Sequence, residues 1–483
     1  MKCPMNLQLT TEQQTIVDYI SNTNKDELIL VDSVAGSGKT TLLRAISDTT
    51  DEAGIYLAYN KALATEASEK FPSHIDCRTT HSLAYRAVVP SLGLKVGFFN
   101  ARQIEENILY QNKYELTEDI KEFCLSRYLT YEEYAADNGK KNTKLANKYL
   151  TLMSNGKIEC THDFYLKLFH LYLAQDKLDQ VSYSLILLDE AGDLNEVTLE
   201  IFKLLKGKIK VAVGDIHQNI FTFNYTINCF ARLKDEGTMF HLTKSFRVPD
   251  YIAGPIEKFC KKYLDPNMRF EGVKNTNTTV KTRGYVSRTN AGLINKIIEL
   301  NAQQIPYTLV RKAQDIFKLP LIVAGLKYQG KIYDSAYKHL QDDVDDWYEN
   351  KNNLRVEHSS VQNYLRDKYE EDLSLLQAFN LTATHGKAAI FDAYAKAKKH
   401  ENSKKKHNFY LLTAHSCKGL ELDEIMFAPD MNTSIQKIVD MIKSNSNSKN
   451  SLTILEREAL NLYYVAATRS IVRLVNAVHL EGL

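Results

Sequence analysis

The stretch that most constrains this chain runs from Leu28 to Thr41 and reads LILVDSVAGSGKTT. An apolar run, Leu28 to Val31, breaks into a small-residue loop ending in Gly38-Lys39-Thr40. Leu42, Leu43, Ala45 and Ile46 then recur at helical spacing. Strand, loop and helix in that order are the context in which GK[ST] marks a phosphate cradle. Small residues at Gly36, Ser37 and Gly38 let backbone N–H groups wrap phosphate oxygens, and the helix N-terminus adds a favourable dipole. Lys39 is expected to reach the β- and γ-phosphates, and the Thr40 hydroxyl to ligate Mg2+. The first glycine of the usual GxxxxGK[ST] is Ser33 here, which is still small enough to turn. These residues imply a bound nucleoside triphosphate.

With 483 residues the chain has room for roughly two to four domains. Its 44% hydrophobic and 25% charged residues are those of an ordinary globular protein. No apolar run is long enough for a membrane span, and the start, MKCPMNLQLTTEQQ, lacks the apolar core of a secretory signal. Seven cysteines lie far apart with no CxxC, which argues against zinc or iron–sulfur ligation and for reduced thiols in a cytosolic compartment. Because 61 basic residues nearly balance 59 acidic ones, a nucleic-acid partner would have to be held by a local groove, not by a global positive field.

Ahead of the cradle, LTTEQQTIV predicts a helix capped by Thr10 or Thr11, with Ile16, Val17 and Ile20 as its apolar stripe. After it, IYLAYNK (Ile55–Lys61) and CRTTHS (Cys77–Ser82) read as strand ends running into helices. Strands alternating with helices predict a parallel, doubly wound sheet whose ligands collect at the strands' carboxyl ends. From about residue 85 to 163 the composition turns to Tyr, Glu, Lys and Asn, which predicts a helical insertion. The α/β pattern returns at Leu185–Asp193, LILLDEAGD, a buried strand ending in two acids. Asp189 suits a magnesium shell, and Glu190 is placed to polarise an attacking water. A further strand, Lys210–Val213, ends in GDIHQNIFTF. Leu242–Arg247, LTKSFR, is read as opening a second α/β region with strands near Tyr285 and Pro306–Val310. Residues 311–405 are again Tyr-, Asp- and Lys-rich and predicted helical, ending in a basic stretch, Ala395–His407, read as a solvated loop. The pattern resumes at Phe409–Glu421, and Ser444–Ser451, SNSNSKNS, is read as a flexible connector. A final helix carries EALNLYYVAATR (Glu458–Arg469).

Singly these pieces are weak, but their order is specific. A Gln-bearing first helix, GSGKT, YNK, TTHS, LLDEAGD, VGDIHQNIFTF, LTKSFR, SRTN, TAHSCKGLE and YYVAATR follow one another over nearly the whole chain. In this the chain resembles a superfamily 1 DNA helicase of the UvrD/Rep/PcrA type. AYNKALA, CRTTHSLAY and CTHDFYLKL are most similar to the F-box DNA helicase branch. No F-box is expected, since the nucleotide-binding module begins within the first dozen residues. The resemblance implies an α/β fold of two RecA-like P-loop motor domains with parallel doubly wound sheets. Each motor carries a mainly helical insertion (subdomains 1A, 1B, 2A and 2B). The expected boundaries are 1–84 and 164–240 for motor 1A around insertion 85–163. Motor 2A is expected at 241–310 and 406–483 around a reduced insertion, 311–405.

What the resemblance implies for the site runs as follows. Gln13 matches the glutamine that reads the adenine edge, and Phe246 the aromatic that stacks on the ring. Gly36, Ser37, Gly38, Lys39, Thr40 and Thr41 match the cradle of ATP, with Thr40 and Asp189 as Mg2+ ligands. Glu190 matches the catalytic base, Gln218 the γ-phosphate sensor and Glu421 a ribose contact. Arg247 and Arg469 match two arginines supplied from the far motor. Fixed guanidinium forks of this kind are worth about 10³–10⁵ in rate and tie hydrolysis to domain closure. Nucleic-acid contacts are expected from Tyr59, Asn60, Thr80, His81, Phe223 and His415, aromatic stacking being worth about 1–3 kcal/mol per base.

Several positions depart from the family pattern. Gly192 stands where a glutamine is usual, Asn224 follows Phe223 where an arginine is usual, and Thr41 replaces a frequent arginine. The expected activity is that of an ATP-dependent single-stranded DNA translocase and 3′→5′ helicase on tailed duplex, in repair, recombination or processing of replication intermediates. A protein partner is a further expectation, and a membrane is not. The expected location is cytoplasmic with the nucleoid, or nuclear in a eukaryote. The rival reading is a DNA-stimulated ATPase switch that displaces or recruits a partner, such as a recombinase or an antiviral nuclease, without unwinding.

Overall fold

A computed structural model describes residues 8–23, 25–100, 103–104, 110–179, 181–221, 225–275, 278–326, 337–350, 360–403 and 405–481. The chain divides into two units. One comprises Met1–Arg247 with Arg269–Val273, and the other Val248–Met268 with Lys274–Leu483.

In the first unit, strands β1 (Glu27–Ser33), β2 (Gly54–Ala58), β3 (Ile75–Thr79), β4 (Tyr183–Leu188), β5 (Gly207–Gly214) and β6 (Thr238–Leu242) form one sheet. Its order is β3-β2-β4-β5-β1-β6, and every pairing is parallel. Parallel sheets are covered on both faces, which is why their strands are near-continuous apolar runs. Alternate residues feed opposite cores. Ile29 and Val31 pack with Leu42, Leu43, Ile46 and Ile16 on one face, and Leu30 packs with Ile186, Leu188 and Phe202 on the other. The carboxyl ends of β4, β5 and β1 lie side by side, so the loops that follow them share one edge of the sheet.

Between β3 and β4 the described elements are helices, including Thr80–Val88, Tyr110–Leu125, Thr143–Ser154 and His162–Ala174. A buried ammonium locks them. Lys167 donates to the carbonyls of Ser126, at 2.8 Å, and Tyr128, just beyond the end of helix Tyr110–Leu125, and its Nζ sits 4.6 Å from the centre of the Phe123 ring. A cation there satisfies carbonyls that the helix itself leaves open. His170 lies 3.5 Å from that Nζ, and burial together with the Lys167 charge pushes its pKa down to about 3 from an ordinary 6.5. The folded state thus resists a proton that the unfolded chain accepts, so this contribution to stability is complete above pH 6.5 and is lost as pH falls towards 3. His170→Gln is expected to flatten that acid limb, by on the order of a few kcal/mol across the window, in urea unfolding followed against pH.

Strand β7 (Lys244–Pro249) pairs with β8 (Glu271–Val273) in a two-stranded ladder. The division of the chain falls after Arg247, so Leu242–Arg247 groups with the first unit and does not open the second. Leu242 closes β6, and Val34 N–H donates to its carbonyl at 3.0 Å.

In the second unit β9 (Arg283–Ser287), β10 (Thr308–Leu309), β11 (Phe409–Thr413), β12 (Leu422–Phe427) and β13 (Ser470–Val475) form a parallel sheet in the order β10-β11-β9-β12-β13. The described residues between β10 and β11 hold helices Ala313–Leu326, Lys338–Asn350, Val361–Lys368 and Leu373–Asn402. The last of these breaks at Gly386, whose φ of +76° suits glycine. Three local expectations change. The basic stretch is helical as far as Asn402, Ser446–Ser451 winds into a 3₁₀ turn, and the final helix, Ile454–Ala467, feeds the edge strand β13.

Candidate nucleotide site

The cradle begins where β1 ends. Ser33, in place of the usual first glycine, donates its hydroxyl to the Gly214 carbonyl at 2.8 Å and so pins the cradle to the end of β5. Gly36 (φ +75°) and Gly38 (φ +80°) adopt backbone conformations that other residues rarely hold. A side chain at Gly36 would also place its Cβ 2.5 Å from Cβ of Arg247. The loop is gripped from outside as well. Ser245 donates its hydroxyl to the Ala35 carbonyl at 2.7 Å, and Phe246 N–H donates to the Gly36 carbonyl at 2.8 Å. Glu12 accepts from the Thr243 hydroxyl and N–H at 2.6 and 2.9 Å, tying the first helix to this same segment.

Helix Lys39–Ser47 starts directly after Gly38. Thr40 is exposed on its first turn and Thr41 half-buried. Ser37 is buried, and its hydroxyl has no hydrogen-bond partner among the described residues, as suits a polar lining built for a ligand. Lys39 Nζ lies 2.7 Å from Glu190 Oε2, an ion pair that spans the sheet edge. Burial alone would lower the lysine's pKa, but the carboxylates of Glu190, Asp189 and Asp215 outweigh it and raise the pKa above its usual value.

Asp189 follows the fully buried end of β4. Its Oδ2 accepts from the Tyr56 hydroxyl at 2.7 Å and its Oδ1 from Glu190 N–H at 2.8 Å. Burial and the neighbouring Glu190 carboxylate push its pKa up. Glu190 itself has φ +52°, a strained position for a non-glycine residue that turns its carboxylate back towards Lys39. Three carboxylates around one ammonium leave an excess of negative charge. With the Thr40 hydroxyl, this hard oxygen set fits a magnesium ion bound to a triphosphate, which takes one or two protein oxygens and completes its shell with phosphate and water.

Asp215, buried just past β5, accepts from His217 N–H at 2.9 Å and from Gln218 Nε2 at 2.6 Å, holding Gln218 at the same edge. The glycine at 192 has a steric reason. A Cβ there would meet the Asp215 carbonyl oxygen at 2.6 Å, so the glutamine usual at this position has no room. Gln13 is buried, with its side chain turned inward. Nε2 donates to the Ser37 carbonyl at 3.2 Å, and Oε1 accepts from Thr10 N–H at 3.0 Å in a capping box. Phe246 is half exposed, its ring beside Gly38, where a Cβ would lie 3.6 Å away. Arg247 packs beside Gly36 in the first unit, at the end of the segment grouped there.

Tyr59, Thr80 and His81 line a cavity of about 280 Å³ together with Asp189, Asp193 and Asn195. Tyr59 is 45% exposed, and burial of its remainder, then Asp193 and Glu190, raise its pKa. Burial holds His81 below the usual histidine range. Asn60 caps helix Lys61–Lys70 by accepting from Leu63 N–H at 3.0 Å, so its carbonyl oxygen has a structural task. Phe223 lies outside the described residues.

The remaining candidates belong to the second unit. Arg469 is buried and donates to the Val465 carbonyl at 2.9 Å and the Thr468 hydroxyl at 3.1 Å. His415 faces buried Glu458 at 3.4 Å, and Glu421 is exposed two residues after Gly419. Sequence reasoning passed over Tyr56, Asp215, Ser245 and Glu12. Of these only Asp215 carried a signal, as an acid directly after a strand and three residues before Gln218.

Comparison with known proteins agrees with this geometry. A family profile described as an AAA domain matches residues 13–224. The chain is 24% identical over 534 aligned positions to F-box DNA helicase protein 1 of Schizosaccharomyces pombe (strain 972 / ATCC 24843), covering 98% of this chain and 58% of that protein. It is also 24% identical over 547 positions to F-box DNA helicase 1 of Gallus gallus, covering 99% of this chain and 50% of that protein. The chain therefore spans about half the length of these relatives. Together the matches support the resemblance to superfamily 1 helicases.

Proposed function

From its resemblance to superfamily 1 helicases, we propose that this chain is an ATP- and Mg2+-dependent motor that moves along single-stranded DNA and unwinds tailed duplex with 3′→5′ polarity. The observation that carries the reading is the 2.7 Å ion pair between Lys39 of the cradle and Glu190 of the acid pair, beside the buried carboxylate of Asp189. Those groups together are what phosphoryl transfer to water requires.

In this reading the backbone N–H groups of the cradle and the start of helix Lys39–Ser47 hold the phosphates. The triphosphate is the stronger partner for Lys39 and draws its ammonium from Glu190. The freed carboxylate then polarises the attacking water and accepts its proton. Thr40 and Asp189 would hold a magnesium ion, which when bound would supply charge neutralisation for the transferred phosphoryl group. Gln218, fixed by Asp215, senses the γ-phosphate, and Phe246 stacks on the base. Arg469, Glu421 and His415 keep the roles that the family resemblance implies for them, whereas Arg247 groups with the first unit beside Gly36 and so reaches the cradle from the same unit, not from a far motor. The four-subdomain layout belongs to the same proposal, as do action in repair or recombination and a nuclear or nucleoid location. The described residues contain no helix long and apolar enough to cross a membrane.

Tyr59, Thr80 and His81 gather at one cavity that also touches Asp189, which supports strand binding close to the metal acid. The test is steady-state ATP hydrolysis with and without single-stranded DNA across a salt series, followed by displacement from 3′- and 5′-tailed duplexes. Strong, salt-sensitive stimulation and release from the 3′-tailed duplex alone are expected. Stimulation without release would favour a switch, and hydrolysis indifferent to the strand would remove nucleic acid as the activator.

A further inference from the structure

Asp189 is held through both of its oxygens, and one of the two holders is a residue to which the sequence motifs assign no role. Tyr56 sits in the middle of β2, 1% exposed, on the strand hydrogen-bonded to β4. Its hydroxyl donates to Asp189 Oδ2 at 2.7 Å, while Glu190 N–H donates to Oδ1 at 2.8 Å. The strand itself adds a further tie, since Asp189 N–H donates to the Leu57 carbonyl at 3.1 Å. The phenol ring also packs against Phe71, with ring centres 4.7 Å apart.

We propose that Tyr56 is a positioning residue for the divalent cation: its hydroxyl fixes the carboxylate of Asp189 in the orientation that presents lone pairs to the metal. This rests on the reading of Asp189 as a magnesium ligand. A carboxylate on a single-bonded side chain can rotate about its last bond, and a donor on each oxygen removes that freedom. Groups that hydrogen-bond metal ligands typically govern about 10–100-fold in metal affinity, because an unoriented ligand must be ordered when the ion binds. Tyr56 is suited to this part. It is buried, it approaches from a neighbouring strand of the rigid sheet, and its ring packs against Phe71.

The experiment compares wild type with Tyr56→Phe, which removes one oxygen atom and keeps the ring, and with Phe71→Leu, which alters the packing beside the ring and keeps the hydroxyl and its bond to Asp189. Binding of Mn2+ is read by electron paramagnetic resonance in the presence of ADP, and metal-free ADP binding by calorimetry. Tyr56→Phe is expected to raise the Mn2+ dissociation constant about 10-fold or more. Its metal-free ADP affinity should be unchanged, and Phe71→Leu should bind Mn2+ within about twofold of wild type. Equal Mn2+ affinity in wild type and Tyr56→Phe would overturn the proposal. An equal loss in Phe71→Leu would overturn it too, by assigning the effect to packing. Failure of the wild type itself to bind Mn2+ with ADP would instead remove the nucleotide-site reading on which the proposal stands.

Discussion

Lys39→Ala is expected to abolish measurable nucleotide hydrolysis while the first unit stays folded. The ammonium pairs with Glu190 at 2.7 Å, and three carboxylates hold it protonated. Alanine removes the charge that neutralises the β- and γ-phosphates, and it leaves Asp189, Glu190 and Asp215 to repel the substrate. Losing one oriented donor to developing charge costs about 10²–10³ in rate, and the added repulsion weakens binding as well. Phosphate release under saturating Mg2+ and ATP checks the rate, and circular dichroism checks the fold. Turnover near the wild-type value would end the phosphate-cradle interpretation of residues 33–41.

Glu190→Gln separates chemistry from binding. The amide keeps the size of the side chain and an oxygen that Lys39 can still donate to, so the cradle should bind ATP much as before. It cannot take a proton from water, and general-base catalysis contributes about 10²–10⁴. The expected pattern is a kcat lowered by that factor with little change in ATP affinity, measured by single-turnover hydrolysis and by equilibrium binding. A rise in KM with kcat unchanged would mean that Glu190 only helps hold the substrate. The backbone at 190 offers a control. Because φ is +52°, glycine relieves strain there, so Glu190→Gly should lose activity without losing thermal stability.

Much of the first unit's site was legible because its signals are local. A strand that ends in small residues and GK[ST], and another that ends in two acids, each need only a few neighbouring residues to be recognised. Gln218 was placed by motif order, although its anchor, Asp215, was not identified. Gln13 was legible as a position, but not the inward turn of its amide to the Ser37 carbonyl, which depends on the cradle folding over the first helix. The segment Leu242–Arg247 looked like the start of a new region because a strand and its loop carry no label of the sheet they join. Only pairing with β1 and the grip on Ala35 and Gly36 assign it to the first unit.

By itself, then, the sequence determined the elements and the chemistry of the groups at their ends: the small-residue loop before Lys39, the acid pair, the order of motifs and the alternation of strands with helices. These follow from short-range preferences, since φ/ψ limits, apolar periodicity and helix capping act within a few residues. Tertiary structure alone decided which of those groups meet. Lys39 and Glu190 are 151 positions apart, and Tyr56 and Asp189 are 133 apart. They come together because β4 and β2 pair directly while β5 separates β4 from β1. A parallel sheet joins strands through crossovers, so its register sets side chains beside partners that no local pattern names.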